Sequence, residues 1–154
     1  MRKTDQTVIS ALRKNGRVRL TELSRKTGLP VSTLHERLKK YVREGVLAPK
    51  ALLQFHKIGY LARAQILLFA DPAHKDALLA HLRVHPNVNS LYRINNGWHV
   101  LMDCVFPDMF ALEEFIEAIE HKYGIQKKEV HYILDELKRE AFYSEDPLPE
   151  ATFK

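Results

Sequence analysis

The chain has 154 residues with 45% apolar and 9% aromatic content, which fits one ordinary domain or two small ones and excludes wholesale disorder. Its single cysteine, Cys104, excludes an intrachain disulfide framework and a multi-cysteine zinc site. No apolar run approaches the roughly 20 residues of a membrane span. The start, Met1-Arg2-Lys3-Thr4-Asp5, turns polar at once, so a soluble, cytoplasmic protein with no membrane partner is expected.

The net charge of +5 is unevenly spread. Residues 1–60 hold 14 Lys and Arg against 4 Asp and Glu, a balance of +10; residues 61–154 hold 10 against 15, a balance of −5. This asymmetry suggests a nucleic-acid-facing module joined to one with another task. An accidental split of a basic chain is the bland alternative, but the switch coincides with a change of periodicity.

Thr4 is expected to cap a first helix, with Asp5 in its first turn and Val8, Ile9, Ala11 and Leu12 on its inner face; Asn15-Gly16 stops it. Thr21 is expected to cap a second, short helix carrying Leu23 and Ser24 and ending at Gly28. Leu29-Pro30-Val31 leads into a third over about 32–44, closed by Gly45. Two short helices joined by a tight Gly turn make a helix-turn-helix, with Leu23, Leu29, Leu34 and Leu38 filling the space between them.

On the third helix Leu34, Leu38, Tyr41 and Val42 share one side; Ser32, Glu36, Lys39 and Arg43 lie opposite, flanked by Thr33, His35 and Lys40. Short polar groups near the N-terminus suit base edges and the basic groups suit phosphates, so double-stranded DNA is the expected partner. A solvated charged face is the plain alternative. Arg2, Lys3, Arg13, Lys14, Arg17, Arg19, Arg25 and Lys26 surround the same unit and favour DNA. Glu36 is open between a cytosine contact and an ion pair with a neighbouring Lys or Arg. Residues 46–53 read as two strands about a turn at Pro49-Lys50, the wing of a winged helix-turn-helix, with Lys50 towards phosphate. Residues 54–60 read as a linker.

From Leu61 the pattern becomes strand (64–69), helix from Asp71-Pro72 to about Val84, strand (88–94), a turn at Asn95-Asn96-Gly97, strand (98–106), helix from Asp108 to Gly124, and strand (130–137). The second helix carries Phe110, Leu112, Phe115, Ile116 and Ile119 inside, and Glu113, Glu114, Glu117 and Glu120 outside. This strand-helix-strand-strand-helix-strand order is ferredoxin-like. It leaves one sheet face without helices, and packing that face on another copy is the usual remedy. The expected class is therefore α+β. A DNA-binding domain spans 1–53, the linker 54–60, a ferredoxin-like sensing and oligomerisation domain 61–143, and a mobile tail 144–154.

Thr4-Asp5-(x)2-Val8-Ile9-(x)2-Leu12, Asn15-Gly16-Arg17, Leu20-Thr21-Glu22-Leu23-Ser24-(x)3-Gly28-Leu29, Ser32-(x)4-Arg37-Leu38 and Glu44-Gly45-Val46-Leu47 resemble the DNA-binding half of the leucine-responsive/asparagine-regulator (Lrp/AsnC) transcription factors. With the ferredoxin-like half, the resemblance covers residues 4–142. It implies a DNA-binding regulator that assembles as a dimer or a dimer-based oligomer such as an octamer, with a small-molecule effector such as an amino acid and no cofactor. Pro30 stands where the family usually has a Ser, Thr or Asn cap. The family's signature turn, Gly-acid-aromatic-Asp, reads here Asn96-Gly97-Trp98-His99. In relatives that turn borders the effector site, which assigns Asn95, Asn96, Gly97, Trp98 and His99 to effector binding. The alternative for these residues is a plain Asn-Gly hairpin turn with Trp98 in the core.

Three rival readings remain at this level. His81 and His85 are spaced i,i+4 and could clasp a metal with His74 nearby, but no third ligand is assignable and Leu78 and Leu82 share the sector. His99, His131 and Cys104 fall on strands, where packing is expected. Siroheme decarboxylases resemble the same two-module layout, and Tyr92-Arg93 with Trp98-His99 could mimic their His and Arg; such enzymes need no basic recognition helix. An effector-free architectural protein that coats DNA with weak sequence preference is the third. No phosphate loop or nucleophile motif is present, and a non-enzymatic regulator is expected.

Overall fold

The computed structural model describes residues 3–144. They divide into two compact units: residues 3–52 together with 137–144, and residues 53–136.

The first unit is built from α1 (Lys3–Lys14), α2 (Leu20–Thr27) and α3 (Val31–Arg43). Val8, Leu23 and Leu34 are fully buried, with Ile9 and Tyr41 beside them and Leu12, Leu29 and Leu38 packed around. The turn between α2 and α3 has two ties and a left-handed glycine. Gly28 takes φ +71° and donates to Ser24 O, while Ser24 Oγ donates to Leu29 O at 2.6 Å. A left-handed backbone at that point suits glycine.

Several helix starts differ from expectation. Thr4 lies inside α1, and α2 starts after Arg19 rather than at a Thr21 cap; neither Arg19 nor Pro30 makes a side-chain cap bond. Val42 is 46% exposed rather than inside. The expected wing strands do not form. Val46 and Leu47 both turn their N–H groups back to Tyr41 O, Pro49 has no N–H to donate, and Leu52 and Leu53 are exposed. Residues 54–60 hold a 3-10 turn, Phe55–Ile58, closed by Gly59 at φ +87°.

Residues 137–143, expected with the second module, pack on the first. Tyr143 joins the Val8, Leu23 and Leu34 cluster at 8% exposure. Arg13 of α1 donates to Glu140 O and Phe142 O, and meets the Glu140 carboxylate at 3.1 Å. The remainder of the expected tail, residues 145–154, lies outside the described residues, as do Met1 and Arg2.

The second unit contains β1 (Ala62–Ala70), α4 (Lys75–Val84), β2 (Val88–Arg93), β3 (Val100–Phe106), α5 (Met109–Tyr123) and β4 (Ile125–Tyr132). The four strands form one antiparallel sheet in the order β2-β3-β1-β4. Asp108 caps α5 by accepting from Ala111 N at 2.8 Å, and Gly124 ends it at φ +58°. β4 begins at Ile125, five residues before the expected start. Gln126, Lys127, Lys128 and Glu129 conceal it in sequence, and an edge strand tolerates them because one side of its ladder meets solvent.

The helices cover one sheet face. Ala64, Ile66, Leu68, Val100, Met102 and Cys104 pack there against Leu78, Leu82, Leu112, Ile116 and Ile119, all fully or nearly fully buried. The alternate residues Arg63, Leu67, Phe69, Leu101, Asp103 and Val105 occupy the other face.

Candidate nucleic-acid interface and sensor turn

α3 presents the expected polar face. Ser32, His35, Glu36, Lys39, Lys40 and Arg43 are exposed and Thr33 is half-buried. Ser32, Thr33, Glu36, Arg37 and Lys40 line one open depression of about 410 Å³. Glu36 lies 3.5 Å from Lys39 Nζ and 3.6 Å from His35 Nδ1, so it has local cationic neighbours. His35, expected to flank the polar face, is exposed. Lys40 lies 3.8 Å from Glu44, a weak surface pair. Arg43 and Lys50 are exposed, and Lys50 sits on irregular chain rather than on a wing strand.

What holds this face in place was not legible as a motif. Asp5 of α1 accepts from Arg37 Nη1 and from the Tyr41 hydroxyl, both on α3, and Arg37 reaches Thr4 Oγ1 at 3.4 Å. Burial, with Asp5 adding to it, pushes the Tyr41 phenol up to about 12. Arg37 is thus a structural cation, locked between helices. Its signal was the Asp5 to Arg37 pairing across 32 residues, which no local pattern reveals.

At the sensor turn Asn96 (φ 60°) and Gly97 (φ 82°) both take the left-handed region, the signature of a tight hairpin turn. Asn95, Asn96 and Gly97 are exposed. Trp98 is half-buried rather than in the core, and Lys127 Nζ stands 4.0 Å from the centre of its ring. His99 donates its backbone N–H to Leu68 O at 2.9 Å and stacks on Phe69 at 4.2 Å between ring centres. Its Nδ1 is buried and without a hydrogen-bond partner among the described residues.

The other singled-out residues separate. Cys104 is fully buried with its thiol pushed up to about 12, chiefly by burial and then by Asp103, and is no nucleophile. His131, expected to pack, is exposed and meets Glu129 at 2.8 Å. His81 and His85 lie 5.5 Å apart and pack on Tyr123, Phe106 and Phe115. Burial, then the neighbouring His81, lowers the His85 pKa. Among the described residues no group of three metal-ligating side chains converges, and no helix is long and apolar enough to cross a membrane.

A helix-turn-helix with an exposed basic third helix, joined to a one-sided antiparallel sheet, defines a DNA-binding regulator with a second, ligand-sensing domain. Residues 1–48 match the family model for winged helix-turn-helix DNA-binding, and residues 63–141 match that of the Lrp/AsnC ligand binding domain. The chain belongs to the Lrp/AsnC family of transcriptional regulators. It is 31% identical over 137 residues to an uncharacterized HTH-type transcriptional regulator of Pyrococcus horikoshii, covering 88% of this chain and 86% of the relative. A solved transcriptional regulator of Neisseria meningitidis in complex with L-Met is similar at 26% identity and TM-score 0.81, over 90% of this chain and 93% of that one. AsnC of E. coli shares the fold at 21% identity and TM-score 0.79, over 90% and 95%.

Proposed function

We propose that this regulator reads duplex DNA with α3, assembles through the bare face of its sensor sheet into a dimer or dimer-based oligomer, and responds to a small anionic effector at the 95–99 turn. The observation that carries the DNA reading is the exposed α3 face. Ser32, Thr33, His35 and Glu36 lie towards the N-terminal end, and Lys39, Lys40 and Arg43 follow towards the C-terminal end. Ser32, Thr33 and Glu36 meet base edges, Lys39, Lys40, Arg43 and Lys50 meet phosphates, and His35 stands between the two groups. The protein works in the cytoplasm as a regulator rather than an enzyme; its membership of a family of transcriptional regulators supports this.

The sheet face supports the assembly. Leu67, Phe69 and Leu101, each half-buried, sit on the side that α4 and α5 leave uncovered, beside Val105, which is only 6% exposed. An antiparallel sheet with apolar residues on both faces needs a cover for each.

The turn supports an anionic ligand. The His99 ring and the Lys127 ammonium supply donor groups and the exposed Asn95, Asn96 and Gly97 offer amide N–H groups, whereas the family resemblance implies an acidic residue at the position of His99 to meet an ammonium group. Common amino acids are therefore expected to bind weakly. Asn95, Asn96, Gly97, Trp98 and His99 are the residues assigned to this effector.

The deciding experiment is selection of a DNA motif with the full protein and with Ser32→Ala, Thr33→Ala and Glu36→Ala. Direct contacts predict a changed base preference of about 1–3 kcal/mol at the affected position. An unchanged motif in all three variants overturns the assignment of α3. Calorimetry with the twenty amino acids tests the turn: tight leucine-like binding that survives His99→Ala and Asn96→Ala overturns it.

A further inference from the structure

A second cavity of about 250 Å³ lies in the sensor unit, between α4 and β2 and away from the bare sheet face. Half-buried Val88 and Leu91 give it a small apolar surface, to which fully buried Leu82 and 9%-exposed Leu79 add almost nothing, and Ser90 adds a hydroxyl. Arg83 of α4 and Arg93 of β2 line it too, and both are exposed. Neither arginine is ion-paired among the described residues, and no Asp or Glu lines the cavity. The only lining side-chain amide, that of Asn89, is already spent on Asp103 Oδ2 at 2.7 Å. β2 is an edge strand, so no further strand closes the cavity on that side.

We infer that this cleft between α4 and β2 is a second ligand site, and that it takes a small aliphatic carboxylate without an amino group, such as a branched 2-oxo acid. The inference goes beyond the effector turn.

Two guanidinium groups with no acidic partner select an anion, and their planar forks match a carboxylate in bidentate fashion. The accessible Val88 and Leu91 surface favours a small apolar body attached to that anion, because a bare inorganic ion leaves it uncovered. An α-ammonium group would stand beside two cations with no carboxylate to meet it, which discriminates against the parent amino acid. The volume of about 250 Å³ lies below the 300–1,000 Å³ usual for drug-sized ligands, so it suits a small ligand better than a nucleotide. A duplex phosphate backbone can touch the exposed arginines but leaves the Val88 and Leu91 surface uncovered.

The test titrates the full-length protein with 4-methyl-2-oxopentanoate, L-leucine and inorganic phosphate, by calorimetry and by NMR of methyl-labelled leucine and valine. The oxo acid is expected to saturate, to shift the Leu79, Leu82, Val88 and Leu91 methyls, and to bind at least tenfold more tightly than leucine. Arg83→Gln and Arg93→Gln are each expected to weaken it tenfold or more, and Leu79→Trp to block it by filling the cavity. Arg93→Lys, which keeps the charge but not the fork, is expected to restore part of the affinity.

Equal binding of leucine, or of phosphate alone, overturns the inference. So do shifts confined to the Trp98 turn, or an oxo-acid affinity that both glutamine variants leave unchanged. If the two glutamine variants instead weaken DNA binding while the oxo acid shifts no cavity methyl, the arginines are DNA contacts and the inference fails. Motif selection with the α3 variants is independent of all these outcomes, so either reading can fail alone.

Discussion

Arg63 on β1 grips Asp103 on β3 with two hydrogen bonds, Nε to Oδ1 at 2.8 Å and Nη2 to Oδ2 at 3.0 Å. The register sets Arg63 opposite Val105 and Asp103 opposite Gln65, so the pair bridges diagonally across the bare sheet face. Asp103 is 5% exposed, and Asn89 donates a third bond to it. Arg63 also donates to Glu136 and lies 5.4 Å from the centre of the Phe55 ring. Its pKa is raised, the hydrogen bond to Asp103 being the largest cause.

Removing one member of such a buried pair strands the other. Asp103→Ala is expected to destabilise the sensor unit by about 3 kcal/mol. Replacing Arg63 and Asp103 together with apolar residues is expected to cost less than Asp103→Ala alone. Urea denaturation followed by Trp98 fluorescence checks both, and equal costs would show that the pair is not coupled.

The Asp5, Arg37 and Tyr41 cluster gives the DNA-binding unit an alkaline limit. The Tyr41 phenol titrates at about 12 in the folded protein, against about 10 in an unfolded chain. The folded state thus holds its proton longer, and this contribution to stability is complete below pH 10 and lost between pH 10 and about 12. Tyr41→Phe is expected to remove this slope while costing about 1 kcal/mol at neutral pH for the lost hydrogen bond. Helix content followed by circular dichroism across pH 9–12 measures it.

On α3 the charged positions should behave unlike the polar ones. Lys39→Ala and Arg43→Ala are expected to weaken all DNA sequences alike. Each should flatten the plot of log affinity against log salt by roughly one unit, since each removes one phosphate contact and its released counterion. Lys39 also neighbours Glu36, so its variant carries a second effect that Arg43→Ala lacks. Fluorescence anisotropy at several salt concentrations separates the two. An unchanged slope in Arg43→Ala removes it from the phosphate-contacting set.

Much of this architecture was written locally. Gly28 and Gly124 end helices, Asp108 caps α5, and Asn96-Gly97 turns a hairpin, each by its own backbone preference, so the element order could be read without knowing any partner. Where sequence reading failed, the deciding partner was remote or missing. Nothing near residues 125–129 says that a charged stretch lies at a sheet edge, and nothing near Val46 says that its N–H will return to Tyr41. The α3 face was legible as exposed polar positions, whereas the Asp5 clasp that orients it was not. Trp98 was ambiguous because its cover, Lys127, comes from another strand.

The least legible feature is the return of residues 137–144 to the helical unit, a contact spanning 129 residues between Arg13 and Phe142. Glu140 and Tyr143 hold φ of 52° and 67°, conformations that non-glycine residues adopt only when their surroundings enforce them. Burial of the Tyr143 ring among Val8, Leu23 and Leu34 supplies the compensation. Truncating a buried aromatic ring costs about 3–5 kcal/mol; Tyr143→Ala is expected near the lower end, because its hydroxyl is buried with no partner among the described residues and gives nothing back. Arg13→Gln is expected to cost less, since its bonds to Glu140 and Phe142 are partly solvated. A fragment of residues 1–56 lacks this cover as well as a second half-site, so it is expected to bind DNA weakly and to unfold more easily than the same unit in the full chain. Hydrogen exchange at the α1 amides compares the two directly. Equal protection of α1 in the fragment and in the full protein would show that Tyr143 is no part of the helical core.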